Sequence, residues 1–233
     1  MKEFEATGFE IINEVYTDNE IQNIQDTIHS TSSNQPGFLK STDLFAIRQF
    51  LKEIPACFSL LFNNNLKTII SSRFGKDYFI VKSIYFDKPA DSNWFVAYHQ
   101  DLTISVDKKV ELKGYGPWTT KQNQFAVQPP IEILEDNFTI RIHLDAATEE
   151  NGALKVLPGS HLKGVVRTDQ LNLTDAEVKS CNVNAGGIML MKPLLLHASG
   201  RTTNKMQRRV IHLEFSRTPL PAEISWSEKQ MIH

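Results

Sequence analysis

The hydrophobic period changes once along this 233-residue chain, near Gly75. Before that point apolar residues recur at spacings of three and four. After it they alternate, or run in short β-branched and aromatic stretches. The first pattern suits amphipathic helices and the second suits strands. Helices followed by many short strands predict an α+β fold, mainly β, with a sandwich or barrel as its core. Thr17-Asp18-Asn19-Glu20 is a capping box, with Thr17 as N-cap and Glu20 at N3. Ile21, Ile24 and Ile28 then stripe one face of a helix that ends near Ser30. Residues 8–16 read as a strand and 31–37 as a loop. Leu44, Ile47 and Leu51 predict a second, short helix, stopped around Pro55. Residues 56–74 predict a third, ended by Gly75.

In the second part, residues 78–86, 94–103, 138–145, 153–157, 188–191 and 208–216 read as strands. Residues 163–180 form an excursion, with a helix after a Thr174 cap. Residues 107–130, with Gly114, Gly116, Pro117, Pro129 and Pro130, read as a long loop. Such loops are usually functional or disordered. Nothing resembling a repeat or a linker divides the chain. Its length suits one domain over 1–233, with a helical part to about residue 77, a β core over about 78–216 and a short tail.

Composition excludes several classes. A net charge of −2 does not suit nucleic acid or an anionic membrane as partner. Cys57 and Cys181 are too few for a disulfide framework and read as small buried hydrophobes. Residues 1–5 lack a signal-peptide apolar run, and no stretch approaches the ~18 apolar residues of a membrane span. A cytoplasmic location is therefore expected. The sequence leaves the oligomeric state open.

Tyr98-His99-Gln100-Asp101 carries the first chemical signal. In an extended segment residues i and i+2 share a face, so His99 and Asp101 project together. They are two of the three ligands of a 2-His-1-carboxylate iron site. H-x-D arises by chance in roughly one such chain in three, so a third ligand is needed. His197, at the end of an apolar stretch and before a turn, can supply it; a buried core histidine is the plain alternative. Along 208–215, Arg208, Val210, His212 and Glu214 share one face, and Arg209, Ile211, Leu213 and Phe215 the other. The first face suits a polar cavity. A guanidinium grips a carboxylate with two parallel hydrogen bonds, so Arg208 suggests an acid cosubstrate. An exposed basic pair is the alternative.

These motifs, with Asn151-Gly152-Ala153-Leu154-Lys155-Val156-Leu157-Pro158-Gly159-Ser160-His161 and His197-Ala198-Ser199-Gly200 in the same order, resemble the phytanoyl-CoA dioxygenase family. The resemblance covers about residues 78–216. It implies a double-stranded β-helix (a jelly roll, cupin-like) backed by N-terminal helices. It further implies an Fe(II)- and 2-oxoglutarate-dependent dioxygenase that uses O2 to hydroxylate a small molecule, with succinate and CO2 as coproducts. It makes His99, Asp101 and His197 the iron ligands, Arg208 the grip on the distal carboxylate of 2-oxoglutarate, and Ser199 a helper. Lys82 and Arg141, on strands that line the cosubstrate pocket in such folds, are further candidates. His161 is then a turn residue, His143 and His212 have core or supporting roles, and His29 and His233 are solvated. Asp101 stands where a halogenase has a small residue, which disfavours halogenation. Two other readings stay open: a cupin-type metalloenzyme that does not use 2-oxoglutarate, and a non-catalytic jelly-roll binding protein. Residues 107–130, tethered beside the first two ligands, are expected to be a lid over the substrate, with Tyr115, Trp118 and Phe125 as its apolar contacts.

Overall fold

A computed structural model describes residues 2–31, 38–40, 45–121, 124–168 and 178–232. Helix α1 (Lys2–Thr7) leads into strand β1 (Phe9–Ile12), helix α2 (Asp18–His29), strands β2 (Phe38–Lys40) and β3 (Phe45–Arg48), and helices α3 (Phe50–Glu53), α4 (Cys57–Leu61) and α5 (Asn64–Phe74). Then come β4 (Phe79–Lys88), β5 (Val96–His99), β6 (Ile104–Val106), β7 (Trp118–Lys121), β8 (Gln124–Val127), helix α6 (Ile131–Asp136) and β9 (Phe138–His143). The chain closes with β10 (Leu154–Val156), β11 (Lys179–Cys181), β12 (Ile188–Met191), β13 (His197–Ser199), β14 (Arg208–Ser216) and β15 (Gln230–Met231).

The fold is a double-stranded β-helix with helices packed on it. A large sheet runs β1-β12-β9-β14-β4-β3-β2, with β15 added to β4, and a smaller one runs β11-β10-β13-β5. The strand neighbours are antiparallel. Period-2 alternation divides β14: Ile211, Leu213 and Phe215 enter the main core, while Arg208, His212 and Glu214 line a cavity between the sheets. The core joins the β14 residues to Ile24 of α2, Leu61 of α4, and Leu66 and Ile70 of α5. Each such buried side chain contributes about 1.5–3 kcal/mol relative to exposure. Phe138 stacks on both Phe74 and Phe215, at 3.7 and 4.7 Å between ring centroids. That column ties the end of α5 to the sheet.

The capping box forms as the sequence predicts: the Thr17 hydroxyl accepts from Glu20 N, and the Glu20 carboxylate accepts from Thr17 N. Other expectations need correction. The helix predicted over 56–74 is two helices, because Asn63 is extended and caps α5 by accepting from Leu66 N at 2.9 Å. Its Nδ2 also donates to Val15 O and Glu20 Oε1. The helix predicted from Leu44, Ile47 and Leu51 is mostly not one. Ile47 lies in β3 opposite Tyr85, and only the single turn α3 follows a left-handed Gln49. The spacing was helical, but ladder pairing with β4 outweighs it; Leu44 lies outside the described residues. Residues 107–130 are not an irregular loop. They carry β7 and β8, which join β6 in a three-stranded sheet. Tyr115, Trp118 and Phe125 pack on a second core with Val106, Val127 and Trp226. The strand predicted over 94–103 is confined to Val96–His99, so Asp101 lies just beyond it. The tail contributes β15 and buries Ile224, Trp226 and Ile232. The helix expected after Thr174 falls outside the described residues.

Asn63→Ala removes a cap and two further side-chain hydrogen bonds at one point. The unfolding free energy should fall by about 1–2 kcal/mol. Urea titration checks this: the midpoint should drop with an unchanged slope. An unchanged midpoint would mean that the helix break is set by something other than Asn63.

Candidate metal centre and anion pocket

His99 and His197 face each other as register partners in the antiparallel pair β5–β13. Their rings lie 4.2 Å apart at 51°. The local geometry is the same at both. Nδ1 of His99 lies 2.9 Å from Ala97 O, and Nδ1 of His197 2.9 Å from Leu195 O. A carbonyl only accepts, so Nδ1 carries the proton and Nε2 keeps its lone pair. Asp101 follows two residues after His99, held by its N–H to Pro193 O at 2.9 Å. Gln100 points the other way. Its amide donates to Gly164 O and Leu194 O and accepts from Val166 N, which anchors the segment between the two ligands. Ser160, in the Pro158–His161 turn, accepts from Leu196 N and fixes the residue before His197.

Asp101 Oδ2 is buried, 3.9 Å from His197 Nε2, and accepts no hydrogen bond among the described residues. One atom each from His99, Asp101 and His197 lie within 4.8 Å of one another. Burial pushes the Asp101 carboxyl up, but His197, His212, Lys82 and His99 outweigh it and hold it at about 2. Burial lowers His197 to about 4. Asp101 is therefore anionic and His197 a neutral imidazole at ordinary pH, the protonation states a divalent cation requires of them. An orphaned carboxylate oxygen beside bare Nε2 atoms fits a metal; Asp101, His212 and Glu214 form a second, overlapping group.

Around the trio lies a cavity of about 310 Å³. Arg208 is buried in its wall, with Nε donating to Asn151 O and Nη2 to Ser199 Oγ, both at 3.3 Å. Burial, then the neighbouring Arg141, lower it to about 9. Arg141 is also buried, with Nη1 donating to His212 Nδ1 at 3.2 Å and Nε without a partner. Among the described residues neither guanidinium meets a carboxylate. Two buried, acid-free guanidiniums side by side are costly unless an anion joins them. Arg209 lies on the other face of β14 and is bidentate to Asp145 at 2.8 and 2.7 Å.

The sequence profile described as phytanoyl-CoA dioxygenase (PhyH) matches residues 4–210. The chain belongs to this family. No curated protein sequence matches it. Solved structures share its fold at low identity. The non-heme α-ketoglutarate-dependent carbocyclase SnoK from nogalamycin biosynthesis is 15% identical, at TM-score 0.64, over 92% of this chain and 81% of its own. EctD from S. alaskensis, solved with 2-oxoglutarate and 5-hydroxyectoine, is 16% identical, at TM-score 0.67, over 92% and 74%. EvdO2 from Micromonospora carbonacea var. aurantiaca, complexed with 2-oxoglutarate, is 19% identical, at TM-score 0.66, over 98% and 92%. These likenesses establish a shared fold for the chain.

Within this family member the remaining sequence candidates fall as follows. Ser199 lines the cavity and donates to Gly152 O at 2.9 Å. Lys82 also lines it, paired with Glu214 at 2.7 Å and donating to Thr103 O. His161 sits in its turn, with Nε2 3.1 Å from Glu5 O, and His29 is exposed; His233 is outside the described residues. Lys88 was missed. Its ammonium is buried, donates to Gly200 O at 2.7 Å, and is lowered to about 8 by burial and Arg208. It shares a face with Lys82, Ile84 and Phe86. The signal was there, but the predicted strand stopped at Phe86. Gly152, at φ +83°, makes room for it: a Cβ there would lie 2.5 Å from Gly200 O and 2.8 Å from Lys88 Nζ.

His143 is buried beside this cluster with neither ring nitrogen paired among the described residues. Burial, then Arg141 and Arg208, hold it well below the ordinary imidazole value. The folded state thus refuses a proton that the unfolded chain takes up below about pH 6.5. Its contribution to stability is present above that pH and is lost as the pH falls toward the depressed folded value. His143→Leu should flatten the acid limb by about 1.4 kcal/mol per pH unit. Urea unfolding from pH 7 to 5 measures it; an unchanged slope would mean that His143 is protonated in the fold.

Proposed function

We propose that the protein is a non-haem Fe(II)- and 2-oxoglutarate-dependent dioxygenase that hydroxylates, or otherwise oxidises, a small organic substrate, with succinate and CO2 as coproducts. One observation carries this reading: the bare Nε2 atoms and orphaned Asp101 oxygen stand beside buried guanidiniums that lack an acid. The first set suits Fe(II), and the 2-His-1-carboxylate arrangement leaves positions open on it. The second suits a dicarboxylate. Family membership supports the pairing of the two, and so does the likeness in fold to proteins solved with 2-oxoglutarate.

In this reading His99, Asp101 and His197 hold the iron. The carbonyls of Ala97 and Leu195 fix their imidazole tautomers. Arg208 grips the distal carboxylate of 2-oxoglutarate, with Ser199 orienting the guanidinium. Arg141 adds positive charge beside it. Lys82 is committed to Glu214. Once bound, Fe(II) and 2-oxoglutarate supply the O2 chemistry, while the protein holds cosubstrate and target C–H bond in register and restricts water. A metalloenzyme that does not use 2-oxoglutarate has no need of acid-free Arg208 and Arg141. A non-catalytic jelly roll has no need of a buried Asp101 Oδ2 left without a hydrogen bond beside two bare imidazoles.

Asp101→Ala should abolish Fe(II) binding and turnover while the fold survives. Calorimetric titration and circular dichroism check this, and normal Fe(II) affinity would sink the metal assignment. Arg208→Ala should leave iron binding in place and raise the 2-oxoglutarate requirement. Loss of one partner of a buried charge-assisted pair costs ~2–5 kcal/mol, or about 30- to 5,000-fold. Arg209→Ala should do far less, since Arg209 is held by Asp145 outside the cavity. If Arg209 proves the sensitive residue, the cosubstrate assignment is wrong. Release of succinate from 2-oxoglutarate, stimulated by a substrate from a panel of organic acids, amino acids and acyl thioesters, tests the reaction itself.

A further inference from the structure

Among the described residues five cationic side chains line the cavity: Arg48, Lys82, Lys88, Arg141 and Arg208. Four have hydrogen-bond partners. Lys82 meets Glu214, Lys88 meets Gly200 O, Arg141 meets His212, and Arg208 meets Asn151 and Ser199. Arg48 has none among the described residues. It is half-buried, and burial lowers its guanidinium from the usual value. An unpaired guanidinium held partly out of water is costly without an anion.

Its place in the sheet separates it from the other arginines. Arg48 on β3 is in register with Ile84 on β4, which is opposite His212 on β14, itself opposite Arg141 on β9. Neighbouring strands are about 4.8 Å apart, which puts the backbones of Arg48 and Arg141 about 14 Å apart. Arg208 is two strands over and four residues along, about 16 Å away by the same spacings. Ile84, Phe86, Trp94, Val96 and Phe125 give the same cavity an apolar and aromatic part.

We propose that Arg48 anchors an acidic group of the substrate, and that the substrate is an organic anion, a carboxylate or a phosphate monoester, whose hydrocarbon part lies along Ile84, Phe86, Trp94 and Phe125. The inference rests on the oxygenase reading above. The charge balance supports it. Glu214 offsets Lys82, Asp101 faces the metal, a dicarboxylate answers Arg208 and Arg141, and Lys88 stands beside Arg208 at that same end with Gly200 O as its partner. Arg48 keeps its charge when all of these are in place. The guanidinium fork matches either acid head group bidentately. A neutral substrate would leave it unpaired in the half-buried wall.

The test titrates the anaerobic Fe(II)- and 2-oxoglutarate-loaded protein by calorimetry with hexanoate, hexanamide and hexyl phosphate, and with the same head groups on a 3-phenylpropyl frame. Wild type should bind at least one anion of each frame about 30-fold or more tighter than the matching amide. Arg48→Gln should erase that preference while amide binding, iron affinity and 2-oxoglutarate affinity stay unchanged; Arg48→Lys should retain part of it. The tighter anion identifies the head group. Arg48→Gln removes an unpaired charge, so its melting temperature should not fall; if it does, Arg48→Lys and the wild-type preference still decide. Equal binding, or no binding, of acid and amide by wild type overturns the proposal. So does a preference that survives in Arg48→Gln, or a raised 2-oxoglutarate requirement there, which would assign Arg48 to the cosubstrate. Failure of wild type to take up Fe(II) and 2-oxoglutarate instead defeats the oxygenase reading; the same titrations on metal-free protein then read the anion preference alone.

Discussion

The cavity depends on one cross-strand pair, His99 on β5 opposite His197 on β13. No local sequence motif can bring those two imidazoles together; only closure of the smaller sheet does. Side chains alternate along a strand, so a slip of one residue would turn His197 out of the cavity. The register is held on both flanks of the pair. Leu157 N donates to Leu196 O and Ser160 takes Leu196 N, so the Pro158–His161 turn fixes β13 from one side. Gln100 and the Asp101–Pro193 bond fix the other. The turn residues in the family-like stretch therefore act through β13 and need not touch a ligand.

Charge is the second constraint. Arg208, Arg141 and Lys88 crowd one end of the cavity with polar but uncharged partners, and each is depressed by burial. Such an arrangement opposes folding, because buried cations are stable only when paired. The opposite face of the same strands supplies the compensation: Ile211, Leu213 and Phe215 pack against the helices, with Phe138 and Phe74 stacked behind them. One period-2 pattern thus gives β14 both duties. Its outward residues stabilise the fold and its inward residues hold a site that strains it.

Much of this was legible in the sequence where a single element decides it. The strict alternation over 208–216 is local, and β14 spans Arg208–Ser216. The Thr17–Glu20 capping box is local too, and it forms. What failed was set by partners far away. Ile47 carries helical spacing with Leu51, yet pairing with Tyr85 makes it a strand residue. Asn63 reads as mid-helix until Val15 and Glu20 give its side chain a reason to cap. Residues 107–130 have turn chemistry throughout, but the tail pairs Ser225 and Ser227 with Asp107 and Ser105 and supports a small sheet there. Lys88 and Arg48 were hidden for a related reason: β4 runs further, and β3 exists at all, only because each has a neighbour to pair with.

Two groups share Asp101, and hydrogen bonding separates them. In one, Asp101 joins His212 and Glu214. Arg141 Nη1 lies 3.2 Å from His212 Nδ1, and a guanidinium can only donate, so Nδ1 accepts. The proton of His212 must then sit on Nε2, which lies 3.1 Å from Glu214 Oε1 and donates to it. The same oxygen also receives Lys82 at 2.7 Å. Both nitrogens of His212 and the facing oxygen of Glu214 are thereby spent, and a cation placed there would have to break a salt bridge and evict a proton. In the other group the backbone takes the Nδ1 protons of His99 and His197, and nothing among the described residues takes Asp101 Oδ2. The donor atoms of that group face one another with their lone pairs free. Of the two overlapping sites, the hydrogen-bond network leaves only His99, Asp101 and His197 prepared to receive a metal.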